Sequence, residues 1–269
     1  MPKAQVNRIN IFYRVQGKGE PLILIMGFGG ECGDWVLQTR AFKKYYRVIT
    51  FDNRGLGKSD KPVEPYTIKD MADDVVGLMD YLGIDKAHIL GVSMGGMITQ
   101  EIAIRHPEKV RKLILASTTA GKDEKGRHSP QLLKSMGLKE GFSDEDIKSV
   151  DIGGVVTSMN AYAFNGGVIK LLATPYLWLR MKLFGIEGLK GQFEAAMTYS
   201  SVDRLHLIKA PTLVITGTED RIISPGESDL LASRIPDARL VKIEGGSHTV
   251  MVEKRGKFNR EALDFLRGG

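Results

Sequence analysis

Residues 87–106 read AHILGVSMGGMITQEIAIRH. The first six are strand-like, apolar without alternation, and the last ten are helix-like, with Gly91-Val92-Ser93-Met94-Gly95 and Gly96 between them. A serine on so sharp a strand-to-helix turn must adopt strained backbone angles, and side chains on its neighbours would crowd it. Glycines at 91 and 95 relieve that crowding. The turn lifts Oγ above the edge of a sheet, at the N-terminus of a helix whose dipole favours developing negative charge. Ser93 is therefore the expected nucleophile, and the bland alternative is a helix N-cap serine beside glycines.

Outward from this turn, short apolar β-rich runs recur with helical stretches between them. The expected strands are Ile9–Val15, Leu22–Met26, Val48–Asp52, His88–Val92, Leu113–Ser117, Leu213–Thr216 and Leu240–Ile243. Runs such as LILIM and TLVIT lack alternation, as expected of parallel strands buried on both faces. The best helix starts at Thr67, with Asp70 three residues on. It carries Met71, Val75, Leu78, Met79 and Leu82 along one stripe until Gly83 ends it. The alternation predicts an α/β fold with a mostly parallel central sheet flanked by helices.

The rhythm breaks after Ser117. Helical stretches are expected at Pro130–Met136, Asp144–Ser149, Val155–Phe164, Val168–Phe184 and Leu189–Tyr199, with no strong strand among them. The expected organisation is a core of residues 1–121 and 208–269, interrupted by a helical cap (lid) at 122–207.

Composition excludes several classes. The chain has 269 residues, 42% hydrophobic and 26% charged, which argues against disorder and fibrous repeats. Its longest core-like run, Leu22–Met26, falls far short of a bilayer span, and MPKAQVNRIN lacks the apolar region of a secretory signal. A cytoplasmic location, with no membrane partner, is expected. The net charge of +6 invites a nucleic-acid reading. Yet the basic residues are interspersed with acids, 12 against 10 between Lys122 and Lys209, so no nucleic-acid partner is expected. A lone Cys32 excludes an internal disulfide and a multi-cysteine metal site.

A serine hydroxyl needs a base, and the base an orienting acid. Among five histidines, His248 follows the strand LVKIE through Gly245-Gly246-Ser247, on a loop at a C-terminal sheet edge where α/β folds place their sites. His88 falls within a strand and His106 at a helix end; His128 and His206 fall in the inserted region, with His128 the reserve base. Asp220 follows the strand TLVIT at another C-terminal edge, with Glu219 beside it as a substitute. Its task would be to hold the imidazole's tautomer and stabilise imidazolium. Acyl transfer also needs oxyanion donors. The backbone N–H of Met94 and that of Phe28, in the loop Gly27-Phe28-Gly29-Gly30, are the candidates.

Together these stretches make the chain resemble the α/β-hydrolase superfamily over nearly its whole length, within it the lid-bearing esterase, enol-lactonase and cofactor-free haloperoxidase group. The matching stretches are MGFGG, FDNRGLGKSD, GVSMGGM, LVITGTEDRIISP and GGSHTVMVEKRGKFNREALDFL. The order Ser93, Asp220, His248 is that group's nucleophile–acid–base order. The middle block, from YTIKDMADD onward, looks especially like 3-oxoadipate enol-lactonase-type sequences. Two departures matter. Many relatives have His where Met26 stands; that His supports the loop's geometry rather than the chemistry. Dehalogenases and most epoxide hydrolases of this fold carry Asp at the elbow, and Ser93 argues against both.

The resemblance implies a serine hydrolase acting on a carboxylic ester. Alternatives are a lactonase on an enol-lactone or acyl-homoserine lactone, a C–C bond hydrolase or perhydrolase, and a slow-turnover ligand receptor. Neither metal nor organic cofactor is expected. The partners would be a small-molecule ester or lactone and, as an open option, a second copy of the chain in a homodimer. Gly27, Gly29 and Trp178 are candidate substrate-binding residues, with Phe164, Tyr162, Met159 and Met181 as further pocket candidates. Asp52 and Arg54 of the FDNRGLGKSD stretch are read as structural, pinning neighbouring loops.

Overall fold

The computed structural model describes residues 2–165 and 187–268. Eight strands form one sheet in the order β1-β2-β4-β3-β5-β6-β7-β8. They are β1 (Lys3–Val6), β2 (Ile9–Gln16), β3 (Pro21–Ile25), β4 (Arg47–Phe51), β5 (Ala87–Val92), β6 (Val110–Ala116), β7 (Thr212–Gly217) and β8 (Ala238–Ile243). From β4 to β8 every neighbour is parallel, and β2 alone runs against the rest, pairing antiparallel with both β1 and β4. The sheet and its topology are those of the α/β-hydrolase fold.

β1 lies outside the expected strands. Only Ala4 and Val6 of its four residues are apolar, too short a pattern to read by eye. It joins β2 through Asn7 and Arg8, both with positive φ (45° and 67°), the conformation a tight two-residue hairpin requires.

The helices are α1 (Val36–Phe42), α2 (Ile68–Tyr81), α3 (Met94–Arg105), α4 (Pro130–Ser135), α5 (Ile152–Ala163), α6 (Glu187–Met197), α7 (Pro225–Arg234), α8 (Val250–Glu253) and α9 (Arg255–Arg267). α2 opens on a reciprocal Thr67–Asp70 capping box, buries Met71, Val75, Leu78 and Met79, and stops before Gly83 at φ 65°. One face of the sheet packs against α2, α3 and α7, and the other against α1 and α9. β5 is central, with all six residues buried, so whatever follows it stands at the middle of the C-terminal sheet edge.

A third hydrophobic cluster lies beyond that edge. It joins Leu132, Val155, Phe164 and Phe193 of the inserted segment to Leu56, Ile222 and Ile223 of core loops. The stretch 144–149 ends as a single 3-10 turn, Asp146–Ser149, instead of a helix, and α5 begins three residues earlier than expected, at a cap by Asp151. The expected helix Val168–Phe184 lies outside the described residues, as do Trp178 and Met181. Among the described residues, no helix is long and apolar enough to cross a membrane.

Candidate active site

Ser93 sits between β5 and α3 with φ 55° and ψ −124°. Non-glycine residues hold such angles only when the surroundings over-determine them, at a cost of about 1–3 kcal/mol. Here they do. Ser93 N–H donates to Ala116 C=O (2.9 Å), and its own C=O accepts from Thr118 Oγ1 (2.7 Å). A Cβ at Gly91 would lie 2.2 Å from the Gly95 carbonyl oxygen, and one at Gly95 would lie 2.2 Å from that of Ile25. Both glycines are therefore steric necessities of the turn.

The loops after β7 and β8 bring two further side chains to Ser93. His248 Nε2 lies 3.1 Å from Ser93 Oγ, and its Nδ1 lies 2.9 Å from Asp220 Oδ2. Asp220 is buried, and its other oxygen, Oδ1, accepts from the backbone N–H groups of Ile222 and Ile223 (2.9 Å each). Those two bonds fix the carboxylate's rotamer, so Oδ2 faces the imidazole. A carboxylate at Nδ1 selects the tautomer in which Nε2 is the acceptor toward Ser93. Residues far apart in the chain form one hydrogen-bonded relay.

The competing residues lie elsewhere. Glu219 Oε2 accepts from Asn165 Nδ2 (2.7 Å), away from the imidazole. His88 is buried in its strand, edge-on to Tyr46. His106 caps the end of α3 beside Asp73, and His206 is exposed. His128 is buried beside a separate, polar cleft. Burial holds both His88 and His128 below the ordinary imidazole range.

The loop Gly27–Gly30 lies directly against the nucleophile: a Cβ at Gly27 would come within 2.9 Å of Ser93 Cβ. A tight turn closes it, Gly30 N–H to Gly27 C=O (3.1 Å). The backbone N–H groups of Phe28 and Met94 flank Ser93 and donate to no other group among the described residues. They are available to an oxyanion. Ser93, His248, Gly27, Phe28 and Gly29 open onto a cavity of about 500 Å3, otherwise mostly apolar. Met159 and Phe164 also line it. Tyr162 does not; it faces the guanidinium of Arg221 (5.8 Å).

Around the site, buried polar residues lock the loops together. Asp52 accepts from the N–H groups of Cys32 (2.8 Å) and Lys58 (2.9 Å), while Asn53 Nδ2 donates to Met26 C=O (2.9 Å). Arg54 makes a buried bidentate pair with Asp74 (2.6 and 2.7 Å). Residues of the inserted segment join in. Gln131 Nε2 donates to Asp220 C=O (3.0 Å), and Ala163 C=O, at the end of α5, accepts from both Ser247 and Thr249, either side of His248. Gln131, Gln192, Asp74 and Glu253 were not singled out from sequence; each works through a partner at least six residues away, a spacing that no local pattern reports.

Comparison with known proteins agrees with this fold. Residues 20–140 match the family described as the α/β hydrolase fold, and residues 192–255 match the serine aminopeptidase S33 family. The chain has the α/β-hydrolase fold. Its relatives include the putative carbamate hydrolase RutD of Azorhizobium caulinodans, 28% identical over 98% of both chains. Among solved structures, the hydrolase resembles the enol-lactonase of Burkholderia xenovorans (TM-score 0.85, 27% identity, covering 98% of this chain and 99% of that one). It also resembles Est816, an N-acyl homoserine lactone degrading enzyme (TM-score 0.81, 28% identity, covering 98% of this chain and all of the other). Hydrolysis is common to these names. Among the described residues, no three His, Cys, Asp or Glu side chains converge as a metal site requires.

Proposed function

We propose that this α/β hydrolase cleaves carboxylic esters through an acyl-enzyme, with Ser93 as nucleophile, His248 as general base and Asp220 as its orienting acid. The reading rests on one observation, the Ser93–His248–Asp220 relay opening onto an apolar cavity beside two available N–H groups. Ser93 Oγ attacks the carbonyl carbon as its proton passes to His248 Nε2. The N–H groups of Phe28 and Met94 hold the oxyanion. Collapse expels the alcohol, protonated by His248, and leaves the acyl group on Ser93. Water, deprotonated by His248, attacks the acyl carbonyl, and the second collapse releases the acid and restores Ser93. No step calls for a metal or organic cofactor.

Lactone opening is the second reading, favoured by the two structural relatives whose names carry that activity. Residues 122–207 would then act as the lid that shapes the acyl pocket, through Met159 and Phe164. Steady-state kinetics tests this on p-nitrophenyl esters of increasing chain length, enol-lactones, acyl-homoserine lactones and an N-alkyl carbamate. Turnover of short esters, abolished by a phosphonate, is expected. Turnover of none, with phosphonate labelling intact, would contradict the ester and lactone readings together.

A further inference from the structure

Helix α6 packs on the core loops beside Ser93, with Gly188 against Gly55, Gly191 against Tyr66 and Gln192 against Gly29 of the oxyanion loop. A Cβ at Gly188 would sit 1.7 Å from the Gly55 carbonyl oxygen, and one at Gly191 would fall 2.6 Å from the Tyr66 ring. The helix backbone therefore packs flush on the core loops, helped by Tyr66 Oη donating to Gly188 C=O (3.3 Å). That close approach delivers Gln192, fully buried, to the loop beside Ser93. Its Oε1 accepts from Gly29 N–H (3.1 Å), and its Nε2 donates to Arg54 C=O (2.9 Å). One amide used in opposite senses has only one orientation.

The far end of this brace is rigid, because Arg54 is clamped by Asp74. At the loop itself, the Met26 side chain carries no N–H donor and only packs under Gly30. The Gly27–Gly30 turn and the Asn53–Met26 bond hold the loop's two ends. Gln192 grips its middle, one residue from the N–H of Phe28.

We infer that Gln192 is a positioning residue: the seated lid helix, acting through Gln192 on Gly29, sets the direction of the Phe28 N–H toward the oxyanion. The inference rests on the acyl-transfer reading above. It couples the lid to catalysis, since lifting α6 relaxes the oxyanion site even where substrate binding is unaffected.

The test pairs Gln192→Met, similar in shape without the two hydrogen bonds, with hydrogen exchange of residues 26–31. Losing an oxyanion donor costs ~10²–10³-fold, and misdirecting one costs less. We expect kcat for a p-nitrophenyl ester to fall about 10-fold with KM within about twofold, because only the transition state carries the oxyanion. Exchange of 26–31 should accelerate while that of 87–92 stays unchanged. A loss carried wholly by KM would overturn the inference and make Gln192 a pocket residue; so would unchanged kcat or unchanged loop exchange. Should Gln192→Met fail to fold, the unmodified enzyme in mild urea decides. Gly29 and α6 amides opening together support the coupling, and independent opening overturns it. Failure of the acyl-transfer reading shows separately, as ester turnover that survives Ser93→Ala, and would remove the oxyanion role itself.

Discussion

The loops at the C-terminal edge of the sheet and the inserted segment packed on them are built on different physical principles. The Ser93 turn is dictated by glycines within two residues of it, and the Asp220 carboxylate is held by N–H groups two and three residues on. Each of these two side chains is aimed by local backbone geometry. The inserted segment is placed by contacts that span the chain. Gln192 reaches Gly29 across 163 residues, Gln131 reaches Asp220 across 89, and Ala163 meets Ser247 across 84. A protein built this way can keep its nucleophile and acid fixed by local geometry while the inserted segment, and with it the pocket, varies.

The largest expected effect tests the local side of the contrast. Ser93→Ala should lower kcat for ester hydrolysis by ~10⁵-fold or more while the cooperative unfolding transition is retained. Steady-state kinetics beside thermal melts checks both halves.

Asp220→Asn should cost about 10³–10⁴-fold in kcat, because the amide can favour the wrong imidazole tautomer. Its neighbour supplies the control. Glu219 points at Asn165, so Glu219→Gln should leave kcat within about threefold, measured in the same assay. Equal losses at the two positions would break the claim that this loop aims one carboxylate only.

Next comes the brace beneath α6. Arg54→Met strands Asp74, buried and without its bidentate partner, and should destabilise the fold by about 3–5 kcal/mol in denaturant titration. Burial already raises the Asp74 carboxyl above its ordinary range despite Arg54.

A smaller effect depends on pH. Burial depresses the His88 and His128 imidazoles in the folded state, so the unfolded chain takes up their protons first as pH falls. Their contribution is full above the unfolded value of about 6.5 and is lost as pH drops below it. Melting temperature should decline between pH 7.5 and 5.5, and His88→Gln should flatten that slope; an unchanged slope would count against it. The smallest effect concerns Cys32. Buried beside Asp52, its thiol is pushed up to about 12, so thiol reagents should leave the folded enzyme unlabelled and fully active at pH 8.

How much of this was legible follows the same divide. The central strands, α2 and the three relay residues could be read because period, capping and glycine spacing are short-range signals. Strand β1 escaped, with two apolar residues among four. The stretch 144–149 reads as helix by composition yet closes as one 3-10 turn, since Ser143 and Asp146 pair locally. Gln192 looked like any polar residue on a helix. Nothing in its neighbourhood announces a partner 163 positions away; its signal was the pair Gly188 and Gly191, small residues on one helix face where a backbone approaches closely. Asp74 escaped similarly, an acid on the buried stripe of α2 that pairs with Arg54.

The central claim is that Ser93 forms the acyl-enzyme, and covalent labelling tests it most directly. A p-nitrophenyl phosphonate should release one equivalent of p-nitrophenol per chain, abolish ester turnover in proportion, and place its mass increment on the peptide carrying Ser93. Label on another residue, or full hydrolysis by protein stoichiometrically labelled at Ser93, would contradict the account.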